Sequence, residues 1–409
     1  MEKNSCRMCN SDNIEEFLDL EFSALSDGFL TKEQLKKPET FFPLTVNFCH
    51  NCGLCQLGYV VAPELMFNED YPYDSSTTKT GREHFTKMGV DICDKFGLKE
   101  NSLVIDVGSN AGVLLNGFKS KGMRVLGIEP SSNVAKIAMK NDIETLIEFF
   151  SNKLTKKILE EYGKVSVITG TNVFAHIDDL QDFMSTANSL LIEDGIIVIE
   201  APYLLYLIEK LEYDTIYHEH LSYLSVKPIV EFCKKFDFEL FDIEEQTIHG
   251  GTLRYFIGRK NKREISQKVL DYIKLENEKE LYSIKKLNEF AEYVKNHRKK
   301  LLQLLYDLKR DGKRIIALSA PAKGNTLLNY CKIGTELLDY ATERNPLKIG
   351  KFTPGMHIPV YPDEKLLEDQ PDYALILAWN FSDEIIKNNA EYRNKGGKFI
   401  IPIPEPKIV

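Results

Sequence analysis

From Leu103 onward the chain alternates short apolar runs with helix-spaced segments. Leu103–Val107 reads as a buried strand broken at Gly108, with a helix beginning near Val113 and a second strand, Arg124–Ile128, ending on Glu129. A helix from Phe85 to Phe96 leads into this unit, and Ser131-Ser132 can cap a helix running to about Lys140. Val165–Thr169 and Gly195–Glu200 are the next predicted strands, with a helix over Asp179–Leu190 between them. Phe238–Glu244 and Thr252–Ile257 read as a closing antiparallel hairpin. A dense Lys/Glu/Leu/Tyr stretch predicts one or two amphipathic helices over 261–310. Alternation then resumes: strand Lys313–Leu318, a small-residue turn, a helix from Leu327, and strands Tyr373–Leu377 and Gly397–Pro402. The pattern predicts two α/β domains, at 81–260 and 311–409, joined by bridging helices. The stretch between Cys9 and Cys49 shows little regular periodicity, and 60–80, rich in Tyr, Pro, Asp, Ser and Thr, predict a loop, equally a lid or a surface linker.

Composition narrows the class without naming a chemistry. A chain of 409 residues with 43% hydrophobic and 28% charged residues is expected to be soluble, globular and multidomain. A net charge of -9 argues against nucleic acid as a partner, and no apolar run is long enough for a membrane span. The start, MEKNSCRMCN, has no apolar signal segment, so the expected location is cytoplasmic. The chain is expected to be a monomer.

Two stretches carry recognisable spacing. Cys6, Cys9, Cys49 and Cys52 form two CxxC knuckles, the donor set of a closed tetrahedral zinc site, with Cys55 and His50 as spare ligands. A small N-terminal zinc-binding domain with its lid loop, residues 1–80, is therefore expected. The second stretch is the turn Gly108-Ser109-Asn110-Ala111-Gly112 with Asp106 ahead of it and Glu129 ending the next strand. This spacing does not fit the GxGxxG of a dinucleotide site. An acid before the turn suits a ligand bearing an ammonium group, and Glu129 suits the hydroxyls of a ribose. The DxGxxxG pattern resembles motif I of the class I methyltransferases, which implies a Rossmann-like middle domain binding S-adenosylmethionine. Asp106, Gly108, Asn110, Gly112 and Glu129 would bind it, with Asn172 and His176 at the same sheet edge.

Tyr217-His218-Glu219-His220-Leu221-Ser222-Tyr223 concentrates ionisable groups. HEH lacks the spacing of a helical metal site, since i and i+2 do not share a helix face. A satisfied structural cluster is one reading and acid–base work the better one, because imidazole titrates near neutrality. In the last domain, Lys323, Gly324 and Asn325 lie in a turn suited to a phosphate; without a GK[ST] ending, nucleotide hydrolysis is not expected.

Together the knuckles, DVGSNAG with Glu129, TNVFAHIDD, YHEHLSYLS, IHGGTLR, APAKGNTLLNYC and RNPLKIGKFTPGMHIPV resemble the sugar C-methyltransferases that act on nucleotide-linked keto-deoxysugars, over essentially the whole chain. The resemblance implies structural zinc at the knuckles, S-adenosylmethionine in the middle domain, and a dTDP- or GDP-linked 4-keto-sugar between the middle and C-terminal domains. It makes His220 the catalytic base, supported by Glu219 and Tyr217, with methylation expected at C3. Tyr71 or Tyr73 would supply the tyrosine of the N-terminal loop, and His249 joins Lys323, Gly324 and Asn325 on the substrate side. Ser319 stands where a glycine is common and Glu343 where an aspartate is common. The alternatives are O- or N-methylation of a related sugar, and a zinc-dependent scaffold that binds S-adenosylmethionine without turnover.

Overall fold

The computed structural model describes residues 1–69, 71–246 and 251–409. Its strands fall into three sheets among these residues. In chain order they are β1 (Ile14–Ser23), β2 (Phe42–Cys49), β3 (Cys55–Leu57), β4 (Leu103–Val107), β5 (Arg124–Ile128), β6 (Thr145–Leu146), β7 (Val165–Thr171), β8 (Leu191–Pro202), β9 (Ser222–Tyr223), β10 (Phe238–Gln246) and β11 (Thr252–Arg259). The last six are β12 (Ile315–Leu318), β13 (Ala341–Glu343), β14 (Val360–Pro362), β15 (Tyr373–Ile376), β16 (Lys398–Ile401) and β17 (Lys407–Ile408).

The middle sheet runs β10-β11-β8-β7-β4-β5-β6. All five residues of β4 are buried, as a strand covered on both faces requires. β4 pairs in parallel with both β5 and β7, so strand order reverses there and a crevice opens at the carboxyl ends. The expected hairpin is β10 and β11, with β11 antiparallel to β8. The helix leading into β4 spans Lys79–Phe96, starting earlier than the apolar spacing predicts because Thr78 caps it by accepting from the Gly81 amide. It packs closely on the helix Val113–Ser120: a Cβ on Gly117 would stand 2.2 Å from the Thr86 carbonyl oxygen.

The C-terminal sheet, β14-β13-β12-β15-β16-β17, is parallel except for its last pair and reverses order at β12. Two helices, Gln267–Glu278 and Ile284–Arg310, fill the bridging region. Among the described residues, no helix is long and apolar enough to cross a membrane.

The N-terminal sheet departs from expectation. The stretch between the knuckles, read as irregular, forms the antiparallel pair β1–β2. Register shifts between Glu16 and Leu18 and between Asp19 and Phe22 put Phe17 and Leu18 side by side in the core and destroy the alternation of β1. β2 does alternate, with Leu44, Val46 and Phe48 buried. The sheet is completed by β9, which comes from the middle domain and pairs with β3 through Cys55–Tyr223 and Gln56–Ser222.

Candidate active site

The four knuckle sulfurs converge. Cys6, Cys9, Cys49 and Cys52 place their Sγ atoms within 4.8 Å of one another, with Cys6–Cys52 at 3.5 Å and Cys9–Cys49 at 3.4 Å. Zinc–sulfur bonds of about 2.3 Å span tetrahedron edges of about 3.8 Å, so the donor set fits zinc with small adjustment. The spare ligands stand outside it. His50 gives its Nε2 to Glu15 at 2.9 Å, and Cys55 lies buried in β3. The signal in the spacing was sufficient here.

The turn after β4 is built for a ligand against its backbone. Gly108 has φ 65°, and a Cβ there would fall 2.2 Å from Val173 Cγ2; Gly112, at φ 76°, starts the helix Val113–Ser120. Glu129 accepts from the Asn110 amide at 3.0 Å and the Ser131 amide at 2.7 Å. Asp106 accepts from Thr169 Oγ1 at 2.7 Å, and burial, assisted by the nearby Glu129 charge, pushes it up to about 7. Asn172 lies at φ 56°, its amide bonded to the Glu200 carbonyl. Along this edge Ser109 Oγ, Asn133 Oδ1, Asn172 Oδ1 and His176 Nε2 are buried with no protein partner. Orphaned polar atoms cost about 1–3 kcal/mol each unless a ligand or water satisfies them, and this polar edge fits S-adenosylmethionine.

The loop residues 62–69 and 71–78 are tied to both α/β units. Asn110 binds them twice, accepting from the Ser75 amide and donating to the Tyr73 carbonyl. Asn133 donates to the Tyr71 carbonyl and Asn345, from the C-terminal domain, to the Pro72 carbonyl. All three domains therefore meet over the crevice.

Beneath this loop four rings follow one another: Phe67 stacks on His176 at 5.8 Å, His176 stacks on His220 at 5.1 Å, and Tyr217 lies tilted against His220 at 4.0 Å. His220 Nδ1 donates to the Thr215 carbonyl at 2.6 Å, which puts the imidazole lone pair on Nε2. Burial and the neighbouring His220 hold His176 well below the usual histidine range, so it stays neutral. His218 turns the other way, onto Phe42 and the Pro43 carbonyl, and burial lowers it to about 4. Glu219 points inward, accepts from Tyr71 Oη at 3.4 Å, and is pushed up to about 8 by burial and then by Asp27. Asp27 faces Lys348 at 3.1 Å, a cross-domain ion pair that the one-dimensional pattern did not single out. Tyr73 packs against Tyr71 at 6.5 Å with nearly half its surface exposed. His249 lies outside the described residues.

On the C-terminal side, Lys323 lies 4.2 Å over the Trp379 ring, close to Glu212 and Asp214, and Trp379 Nε1 donates to Asp214. Gly324 packs on Leu377, while Asn325 is tied up structurally, its amide on the Pro321 carbonyl and its side chain on the Ser26 carbonyl. Ser319 has φ 71°, in the region that favours glycine, and its Oγ accepts from the Ala378 amide. Glu343 accepts from the amides of Ala320, Arg344 and Asn345.

The strand order, the acid-flanked turn and the orphaned polar atoms along its edge define an S-adenosylmethionine-dependent methyltransferase of class I. Three family profiles tile the chain: "Putative zinc binding domain" over residues 6–67, "Methyltransferase domain" over 83–243 and "C-methyltransferase C-terminal domain" over 247–404. The chain is 32% identical to the C-methyltransferase NovU of Streptomyces niveus over 408 residues, covering 99% of this chain and 97% of that protein. It belongs to this C-methyltransferase family, and it is an enzyme rather than a non-catalytic scaffold. A ubiquinone biosynthesis O-methyltransferase of Rhodopseudomonas palustris is 28% identical over 115 residues, 26% of this chain and 45% of that one. A crystal structure of an S-adenosylmethionine-dependent methyltransferase from Clostridium acetobutylicum aligns with a TM-score of 0.36 at 13% identity, covering 44% of this chain and 92% of that one.

Proposed function

We propose that the enzyme methylates a nucleotide-linked 4-keto-deoxysugar at the carbon beside its ketone, C3, through an enolate formed by His220. The observation that carries this reading is the fixed tautomer of His220. With Nδ1 donating to Thr215, Nε2 is the basic atom, held in a ring stack beside the cofactor edge. His220 would take the C3 proton while the C–H electron pair moves into the carbonyl. Glu219, largely protonated at neutral pH, and Tyr71 or Tyr217 would donate to the oxyanion, where electrostatic stabilisation contributes most. S-adenosylmethionine, when bound, supplies an electrophilic methyl whose bond to sulfur breaks as the new C–C bond forms. Asp106, Asn110, Glu129, Asn172 and His176 would hold and orient it. Lys323, with the first-turn amide of Gly324, would serve the diphosphate, and Tyr73 would line the sugar side. The zinc is structural in this reading, closing the N-terminal lobe. NovU is named as a C-methyltransferase, which supports carbon rather than oxygen or nitrogen as the acceptor.

Incubation with S-adenosylmethionine and dTDP- or GDP-4-keto-6-deoxysugars in deuterated water tests this. Deuterium should enter at the carbon beside the ketone, and the methyl should be found on carbon by NMR. A methyl on oxygen or nitrogen overturns the proposal.

A further inference from the structure

His220 is oriented by a carbonyl rather than by a carboxylate, and that carbonyl belongs to a short turn. A free neutral imidazole side chain prefers its proton on Nε2, so the Nδ1–H form has to be held by an acceptor. Here the acceptor is the Thr215 carbonyl, 2.6 Å from Nδ1. The peptide that carries it closes the single turn Tyr213–Thr215, because the Ile216 amide donates to the Tyr213 carbonyl at 3.1 Å. Thr215 Oγ1 adds a second closure, donating to the Glu212 carbonyl at 2.7 Å. A neutral acceptor is only as well aimed as the peptide that bears it.

This turn is pinned from the C-terminal side. Tyr213 and Asp214 are fully buried. Tyr213 Oη donates to Nδ1 of His297, on the bridging helix Ile284–Arg310, at 2.9 Å. His297 in turn donates Nε2–H to the Pro402 carbonyl at 2.7 Å. Trp379, just beyond β15, donates Nε1–H to Asp214 Oδ2 at 2.7 Å, which ties the residue next to Thr215 to the C-terminal unit. Burial raises the Asp214 carboxyl, while the Lys323 charge, the Trp379 donor and the amides of Asp214 and Thr215 oppose the rise. Asp214 Oδ1 is buried without a hydrogen-bond partner. An apolar contact would join the two units without that desolvation cost, so packing alone does not account for the carboxylate.

Resting on the reading of His220 as the base, we infer that Trp379 and Asp214 are positioning residues. Their hydrogen bond between domains aims the Thr215 carbonyl and so holds the His220 proton on Nδ1. The C-terminal unit thereby contributes to proton abstraction through the backbone of the middle domain.

Trp379→Phe tests this, because it keeps a ring beneath Lys323 and removes the N–H donor. The protein is full-length and zinc-loaded, with S-adenosylhomocysteine bound and its histidines labelled with nitrogen-15. The NMR signals of His220 are those lost in His220→Asn. In the wild type Nδ1 should carry the proton; in Trp379→Phe a substantial share should move to Nε2. Turnover should fall on the order of 10- to 100-fold, the scale for a small misplacement of a reacting group, and solvent exchange at the acidic carbon should fall with it. The KM for the sugar nucleotide and the affinity for S-adenosylmethionine should stay within about twofold. Asp214→Asn keeps an acceptor for Trp379 and should retain the wild-type tautomer, whereas Asp214→Leu should behave as Trp379→Phe does. In a His220→Asn background, Trp379→Phe should have no further effect on residual turnover.

A wild-type tautomer in Trp379→Phe overturns the inference, whether or not turnover falls. A raised KM with unchanged kcat overturns it too and leaves Trp379 acting through Lys323. If Asp214→Leu does not fold, the tautomer in Trp379→Phe decides alone. A wild type protonated on Nε2 overturns both this inference and the role of His220 as base. The tautomer measurement needs no acceptor substrate. A wild type that methylates no nucleotide-linked keto-sugar therefore overturns the sugar-nucleotide reading, while the tautomer still decides this one.

Discussion

The middle and C-terminal α/β units share a strand–turn–helix–strand corner that ends in a glutamate, and they surround that corner with different charges. In the middle unit Asp106 and Glu129 stand together, both raised by burial and so poised to gain from a cation. In the C-terminal unit Lys348 Nζ meets the turn at the Ala320 carbonyl, and Lys323 sits in the first turn of the helix Ala322–Cys331. S-adenosylmethionine carries a sulfonium and an ammonium, whereas a nucleoside diphosphate is an anion. On the function proposed above, one backbone device would serve ligands of opposite charge through different flanking side chains. Fold alone does not assign the ligand; the ionisable groups at the corner do.

The largest effect should come from the segment held between the two units. His220→Ala should lower turnover about 10²- to 10⁴-fold, the range for losing a positioned base, with both ligands still bound. Solvent exchange at the acidic carbon should fall in parallel. If exchange survives in His220→Ala and vanishes in Glu219→Gln, the carboxylate is the base.

The two corners should then dissociate cleanly. Glu129→Ala should weaken S-adenosylmethionine by about 1.5–3 kcal/mol, measured by calorimetry, and leave the sugar nucleotide untouched. Lys323→Ala should raise the KM for the sugar nucleotide with little change in S-adenosylmethionine affinity. Crossed effects would abolish the division of labour drawn above.

The smallest effect is a pH dependence confined to the middle corner. Asp106 has a folded pKa of about 7, against about 3.9 in an unfolded chain. A raised acid binds its proton more tightly when folded, so its contribution to stability falls as pH rises from about 4 to about 7 and is level outside that window. The melting temperature of wild type relative to Asp106→Asn, without ligand, should fall across this window. S-adenosylmethionine should bind wild type more tightly above about pH 7 than below it, and Asp106→Asn should respond less. A pH-independent difference between the two proteins would contradict the burial argument.

The middle corner and the zinc knuckles were legible in the sequence because their chemistry is local. Gly108, Gly112, Asp106 and Glu129 belong to one β–α–β unit, and each CxxC pair is a single turn. What escaped depends on contacts between distant segments. Asp27 and Lys348 acquire meaning only when the N-terminal and C-terminal domains meet at Glu219. Phe67 joins the histidine stack only once its loop is folded over it. Ser319 was noticed as a departure from a common glycine, but its left-handed backbone and its bond to Ala378 are tertiary facts. Asn325, expected to offer its amide in the phosphate turn, gives that amide to the Pro321 carbonyl and its side chain to the Ser26 carbonyl. A one-dimensional pattern does not distinguish the two uses of an amide.

The pairing of β3 with β9 also sets an order of events during synthesis. The backbone edge of β3 can be closed only after residues 222 and 223 have left the ribosome, because those residues supply its partner. Leu57 and Leu221, then Leu221 and Ala175, continue the same chain of amide-to-carbonyl bonds into the middle domain. A nascent or truncated chain that ends before β9 carries an open strand edge, the kind of surface on which chains pair with one another. The zinc knuckles can form early, but their sheet is completed by the segment that bears His220. Completion of the N-terminal sheet is thus coupled to placement of the segment that bears His220, and a chain arrested before β9 lacks both.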